Sequence, residues 1–157
     1  MGDWLQLSAN DYVLDLGCGD GNVLLALSEA ADCRCCGIDI LPTAVERATS
    51  LAAAAAARAE KAGAPRRASA QFRVADIFAA DELARWAGSG SDVTVLIVFL
   101  VPQQLKPLSD PITAFLRAKP GRRVLSYRSP LPRLTIAATH PVFELFKYDA
   151  TSLPAAD

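Results

Sequence analysis

Read for its apolar and polar positions, the chain alternates short apolar runs with longer stretches of helical period. Tyr12-Val-Leu-Asp-Leu16 is an apolar run cut off by glycines, and it predicts a first strand. Asn22 to Ala31 has helical spacing, and Arg34 to Ile40 predicts the second strand. Thr43 to Ala62 is a long helix rich in alanine, the strongest helix former, stopped at Gly63-Ala64-Pro65. Ala70 to Ala75 is the third strand, and a short helix follows near Asp81 to Trp86. Ser91 to Val101 is almost continuously apolar, which predicts a central strand covered on both faces. Gln103 to Ala118 is helical and ends at Lys119-Pro-Gly121, and Arg122 to Arg128 is the fifth strand. Ser129-Pro-Leu-Pro132 is extended. Two strands, Leu134 to Thr139 and Val142 to Asp149, close the chain. Strands alternating with helices predict an α/β fold: a doubly wound, mostly parallel sheet with an antiparallel hairpin at its C-terminal edge. One domain over residues 1–157 is expected, with its core at 12–149. Met1 to Asn10, carrying Trp4, Leu5 and Leu7, packs on its edge.

The chemistry gathers after the first strand. Gly17, Cys18, Gly19, Asp20 and Gly21 form a tight turn between strand and helix, the first half of a nucleotide-type site. Glycines at 17, 19 and 21, with Asn22 after them, do not give the third small residue of a dinucleotide fingerprint. Asp15 and Asp20 also put two carboxylates where a pyrophosphate would lie, and phosphate sites rely on bare backbone N–H groups. A cationic ligand suits them better. An acidic residue at the strand end can hold an ammonium, and the glycines let backbone approach an amino-acid tail. Asp39 follows Gly21 by 18 positions, an interval that suits a carboxylate accepting bonds from ribose hydroxyls. Ile40 is then placed against an adenine face. The competing role for Asp39 is a charge at the start of the helix that Pro42 begins.

The stretch Asp15-Leu-Gly-Cys-Gly-Asp-Gly21 resembles the first motif of the class I S-adenosylmethionine-dependent methyltransferases. That resemblance implies S-adenosylmethionine as cofactor, held by Asp15, Leu16, Gly17, Cys18, Gly19, Gly21, Asp39 and Ile40, with Phe99 at the end of the fourth strand. It also implies that Asp76, after the third strand, accepts a bond from the adenine amine, and that Ile77 supplies a backbone N–H and an apolar wall. Asp76 as a cap of the next helix is the alternative. Enzymes of this type that methylate DNA bases or glutamine carry Asn or Asp, Pro, Pro, and Tyr or Phe after the fourth strand; Phe99-Leu-Val-Pro-Gln-Gln-Leu105 stands here instead. Val101-Pro102-Gln103, Lys119-Pro120-Gly121, Arg128-Ser129-Pro130-Leu131-Pro132 and Phe146-Lys147-Tyr148-Asp149 together resemble the lysine methyltransferases of the ATP synthase c-subunit and adenine nucleotide translocase. This resemblance implies protein-lysine methylation, with Val101, Pro102 and Gln103 meeting the acceptor. A small-molecule acceptor and a cofactor-binding subunit of little activity remain the alternatives. The chain departs from that group in having no N-terminal apolar segment and no tryptophan after Pro132. No general base emerges, and Pro102 and Gln103 also suit a plain helix start.

Composition narrows the partners. With 16 basic and 17 acidic residues the formal net charge is −1, so bulk charge gives nucleic acid no support. The alanine run at 51–57 is too short and too closely flanked by charge to span a bilayer. Cys18, Cys33, Cys35 and Cys36 form no disulfide framework and no zinc pattern, which predicts no metal and a reducing compartment, cytoplasmic or, by the resemblance, mitochondrial. His140, the single histidine, sits in a Thr-His-Pro turn and predicts no hydrolase chemistry. Arg66 and Arg67 read as solvated loop charges.

Overall fold

The computed structural model describes residues 2–63 and 70–155, and the expectation for Arg66 and Arg67 lies outside them. Contacts divide the chain into two compact units, Met1–Ile77 and Phe78–Asp157.

The first unit opens with a one-turn helix, α1 (Gly2–Leu5), which the apolar pattern did not mark and which buries Leu5. β1 (Tyr12–Leu16) follows, with Val13, Leu14 and Leu16 all buried, as befits a strand covered on both faces. α2 (Asn22–Ala31) starts at Gly21, whose left-handed backbone turns the chain, and buries Leu24, Leu27 and Ser28 on one stripe. β2 (Arg34–Asp39) sets Cys35, Cys36 and Ile38 in the core. α3 (Pro42–Lys61) begins with proline in its first turn, where no N–H is missed, and ends at Gly63, φ 65°. β3 (Ala70–Val74) completes a parallel sheet in the order β3-β2-β1. Asp15 pairs with Gly37, and Asp39 with Val74. The carboxyl ends of the three strands therefore finish side by side.

The second unit contains α4 (Ala80–Ala87), β4 (Val95–Val98), α5 (Pro102–Ala118) and β5 (Arg123–Tyr127). β6 (Ala138–Thr139), β7 (Leu145–Tyr148) and a 3-10 turn at Ala150–Ser152 complete it. β4 pairs parallel with β5, and β7 pairs antiparallel with both β5 and β6. α5 buries Leu105, Leu108, Ile112, Phe115 and Leu116 at helical spacing. Pro107 and Pro111 lie within it, and their missing N–H groups are those that would serve the carbonyls of Gln103 and Pro107.

Seven strands among the described residues, parallel except at the C-terminal edge, give the Rossmann-like α/β fold that the alternating pattern predicts. Three strands are half the length of their predicted runs or shorter. β4 covers four residues of the eleven-residue run, because Pro102 already starts α5 and Arg122 takes the Ser91 carbonyl before the ladder begins. β6 keeps only Ala138–Thr139, and β7 starts at Leu145 because Pro141 to Glu144 make the turn.

Candidate functional site

The first unit gathers its polar groups at the carboxyl end of its sheet. Gly17, Gly19 and Gly21 have φ of 81°, 54° and 77°, a left-handed backbone that side-chain-bearing residues adopt at a cost. Ile38 fixes the start of the turn: its carbonyl accepts from Gly17 N–H at 2.8 Å and Cys18 N–H at 3.0 Å. Gly21 has a second reason to be glycine. A Cβ there would lie 2.5 Å from the Phe72 ring of β3. Gly19 is the opposite case, since a Cβ would meet nothing within 4 Å. The turn is thus packed from below by Phe72 and open above Gly19.

Asp39 spans this turn. Its Oδ2 accepts from Gly19 N–H at 2.9 Å, and its Oδ1 from Leu41 N–H at 3.0 Å. The side chain is half-buried. Each carboxylate oxygen can accept twice, so one acceptor position on each is left for a pair of hydroxyls. The bond to Leu41, the residue that caps α3, also bears out the local role at the helix start.

Asp15 is different. It is 2% exposed, and its Oδ1 is buried with no hydrogen-bond partner. Burial, and then the nearby Asp39 charge, push its carboxyl up to about 7. A buried, unpaired carboxylate is expensive, and such groups call for a cation or a donor that the fold does not itself supply. Cys18 lies beneath: burial, then the Asp15 and Asp39 charges, raise its thiol to about 12, so it offers no thiolate nucleophile.

Leu16 is fully buried at the end of β1. Ile40 is 62% exposed, and Leu41 and Val74 are exposed beside it, so the strand ends carry an open apolar surface of which the sequence marked only Ile40. Ala75 N–H donates to the Asp39 carbonyl at 3.0 Å, which sets Asp76 directly after β3 at the same sheet end. Asp76 is exposed and Ile77 buried. The residue capping α4 is Ala79, so Asp76 is not the N-cap.

The remaining residues lie in the second unit. Phe99 follows β4, its ring 5.2 Å from that of Tyr127 at the end of β5. Val101, Pro102 and Gln103 are all exposed where α5 begins. Val101 is the N-cap and Pro102 opens the helix; Gln104, not Gln103, turns its Oε1 back to the Val101 N–H at 3.4 Å. The Gln103 side chain is not spent on the helix start. Beyond β5, the extended segment 129–132 lies between Arg128 and Arg133, both left-handed, and Leu131 N–H donates to the Tyr148 hydroxyl at 2.9 Å.

Residues 7–134 match the family described as methyltransferase domain. The chain belongs to that family. It is a methyltransferase, with the fold of solved methyltransferases that hold S-adenosyl-L-homocysteine. Among solved structures, an RNA methyltransferase from Salinibacter ruber in complex with S-adenosyl-L-homocysteine is similar at 23% identity and TM-score 0.73, over 99% of this chain and 91% of that one. A methyltransferase from Thiobacillus denitrificans, also with S-adenosyl-L-homocysteine, is similar at 24% identity and TM-score 0.54, over 84% of this chain and 49% of that one. A geranyl diphosphate methyltransferase with GPP and sinefungin shares 16% identity, TM-score 0.53, over 76% of this chain and 39% of that one. This methyltransferase therefore spans half or less of the length of the last two. At these identities the likeness is one of fold. No curated protein matches the sequence.

The donor set fits the cofactor. S-adenosylmethionine carries an ammonium, a ribose diol and an adenine. The first unit offers an orphaned buried carboxylate, a carboxylate with two free acceptor positions and an exposed apolar surface at one sheet end.

Proposed function

We propose that this methyltransferase methylates the Nε amine of a lysine in a protein, and that residues 1–157 act as one catalytic domain. S-adenosylmethionine supplies an electrophilic methyl group on a sulfonium. Asp15 holds the ammonium, directly or through water, and Gly17, Cys18, Gly19 and Gly21 carry the amino-acid tail on their backbone. Asp39 receives the ribose hydroxyls. Ile40 and Ile77 flank the adenine, Asp76 accepts from its amine, and Leu16 and Phe99 complete the walls.

The acceptor side rests on Val101-Pro102-Gln103. The observation that carries the reading is that this turn is exposed, uncharged and rich in acceptors at the carboxyl end of β4. Gln103 has its side chain free of the helix start, and its carbonyl faces a proline, Pro107, in the place of an N–H donor. A lysine amine has donors to satisfy once it leaves water. Acceptors from the Gln103 side chain and nearby carbonyls align it for in-line displacement, and its proton goes to solvent. The resemblance of Pro120-Gly121 and Pro130-Leu131-Pro132 to the lysine methyltransferases points the same way.

The test is transfer of labelled methyl from S-adenosylmethionine into a protein extract and, in parallel, into total RNA, with mass spectrometry of the labelled material. Mass gains of one to three methyls on lysine are expected in the protein fraction. Gln103→Ala is expected to lower turnover about tenfold, the worth of one hydrogen bond, with S-adenosylhomocysteine affinity unchanged. Label confined to RNA would overturn the lysine reading.

A further inference from the structure

Phe99 and Tyr127 stand side by side where their strands end. Val98, the last residue of β4, pairs with Ser126, so the next residue of each strand leaves the ladder together. The two rings lie 5.2 Å apart, inclined at 56°, and both residues are half-buried. On its other side Tyr127 pairs with Leu145 of β7, which is buried. The Val101-Pro102-Gln103 turn begins two residues after Phe99. An aromatic pair therefore adjoins the acceptor turn.

The Tyr127 ring already carries a cation. Arg128 has φ 60°, a left-handed backbone that arginine adopts at a cost, and strain of this kind gathers at functional sites. Ser129 N–H donates to the Tyr127 carbonyl at 2.7 Å, which closes the bend, and the Arg128 guanidinium lies over the Tyr127 ring, 5.0 Å from its centroid. That side chain is loosely held. Its Nε is 3.5 Å from Glu144 Oε2, and the two side chains are 69% and 71% exposed, so solvent screens the pair. The ring face attracts positive charge, and its present occupant is exchangeable. A flat nucleobase would need a bare ring face or a parallel slot. Rings meeting at 56°, one of them under a guanidinium, give neither. A compact ammonium on a slender stem needs only the face that Arg128 now covers.

Methyl transfer to an amine moves charge. The nitrogen lone pair forms the N–C bond as the C–S bond breaks, so the positive charge leaves sulfur and appears on nitrogen, and a proton then goes to solvent. A ring that attracts the ammonium and not the neutral amine binds the transition state better than the ground state. We infer that Tyr127 is a catalytic residue, that its ring, backed by Phe99, receives the acceptor nitrogen as it becomes positive, and that Arg128 is the cation the substrate displaces. The inference rests on the lysine reading above and adds to it what the site selects: an acceptor that ends the reaction as a cation.

The experiment uses the full chain saturated with S-adenosylhomocysteine and two fluorescein-labelled peptides of one glycine-serine sequence. One carries a central trimethyllysine, the other its neutral isostere with carbon in place of the quaternary nitrogen. The charged peptide is expected to bind about tenfold tighter by anisotropy. Tyr127→Leu is expected to bring the two within about twofold while S-adenosylhomocysteine affinity is retained, which shows the fold intact; Tyr127→Phe keeps the preference. Arg128→Asn, which suits a left-handed backbone, is expected to tighten the charged peptide about threefold by vacating the ring. Equal binding of the two peptides by the parent, binding of neither, a Tyr127→Leu variant that keeps the preference, or an Arg128→Asn variant that binds the charged peptide no tighter overturns the proposal. So does a parent that binds adenosine monophosphate and neither peptide. The labelled extracts described above separate the two readings. Label confined to RNA with the charge preference intact sinks the lysine assignment and leaves the cation site standing, and label on lysine without the preference does the reverse.

Discussion

Asp15 is where a single side chain links stability to ligand binding. Its folded-state carboxyl titrates near 7, against 3.8 for the free group, because burial and then Asp39 disfavour the charge. A raised acid binds its proton more tightly in the folded state. Its stabilising contribution is therefore complete below the unfolded value and is lost as pH rises through 7. The ligand-free protein is expected to lose on the order of a few kcal/mol between pH 4 and 8 from this residue alone. Asp15→Asn should remove that slope and leave the ligand-free protein more stable than the parent at pH 8, as urea titrations would read. Ligand binding has the opposite sign, since an ammonium needs the carboxylate. S-adenosylhomocysteine affinity is expected to fall up to tenfold per pH unit below 7, and to be weak and nearly flat with pH in Asp15→Asn. An affinity independent of pH in the parent would show that Asp15 does not meet the ammonium. The acidic residue itself was legible in the sequence, as was Asp39. The state of Asp15 was not, because a carboxyl's burial depends on what covers it, and Val13, Leu14 and Leu16 on either side tell only that the strand is interior.

Elements were legible wherever pattern and stop signal coincide. Gly21 and Gly63 bound helices at the residues where their left-handed backbone is needed, and Pro42 and Pro102 open helices where a missing N–H costs nothing. Apolar runs were poorer guides to strand length. Pairing is decided by the partner strand, and an apolar residue can bury in a turn as well as in a ladder. The other feature invisible in sequence is Arg122, which reads there as the opening charge of a strand. It is 2% exposed and faces no carboxylate. Its Nη1 donates to the carbonyls of Phe115 and Ala87, and its Nη2 to those of Ser91 and Gly88, while the guanidinium lies 4.4 Å from the Phe115 ring centroid. These carbonyls end α4, line the loop to β4 and belong to the last turn of α5, so one cation caps three segments. Arg122→Met would leave the Ala87 and Phe115 carbonyls short of a donor, while Ser91 keeps Lys119 and Gly88 keeps the Ser91 N–H. A loss of about 3–5 kcal/mol in urea unfolding is expected, with Arg122→Lys recovering only part because an ammonium cannot reach the same fork of acceptors. A loss under 1 kcal/mol would mean water replaces the guanidinium.

At the scale of the whole molecule, every residue assigned to the cofactor except Phe99 falls within the first unit, and every residue assigned to the acceptor within the second. This division follows from the chain order of the strands, not from any feature a motif search reads. It has a consequence in exchange kinetics. A ligand that binds only the folded state stabilises it by about 2.7 kcal/mol at a hundredfold excess over its Kd. Amides that open only by global unfolding gain the whole of that, and amides that open locally gain it only if their opening releases the ligand. With S-adenosylhomocysteine added, the extra protection is therefore expected to be largest at the Gly17–Gly21 turn, at Leu41 and at Ala75–Ile77. The amides of Gly19 and Leu41 already donate to Asp39, so their local opening dismantles the site. The amides of Val142 and Phe143, in the turn before β7 of the second unit, donate to His140 and should exchange at the same rate with and without ligand. Asp39→Ala is expected to abolish the gain at Gly19 and Leu41 and to weaken binding at least tenfold. If the turn at Gly17–Gly21 exchanged no more slowly with ligand than without, while global stability rose, the cofactor would bind elsewhere in the fold.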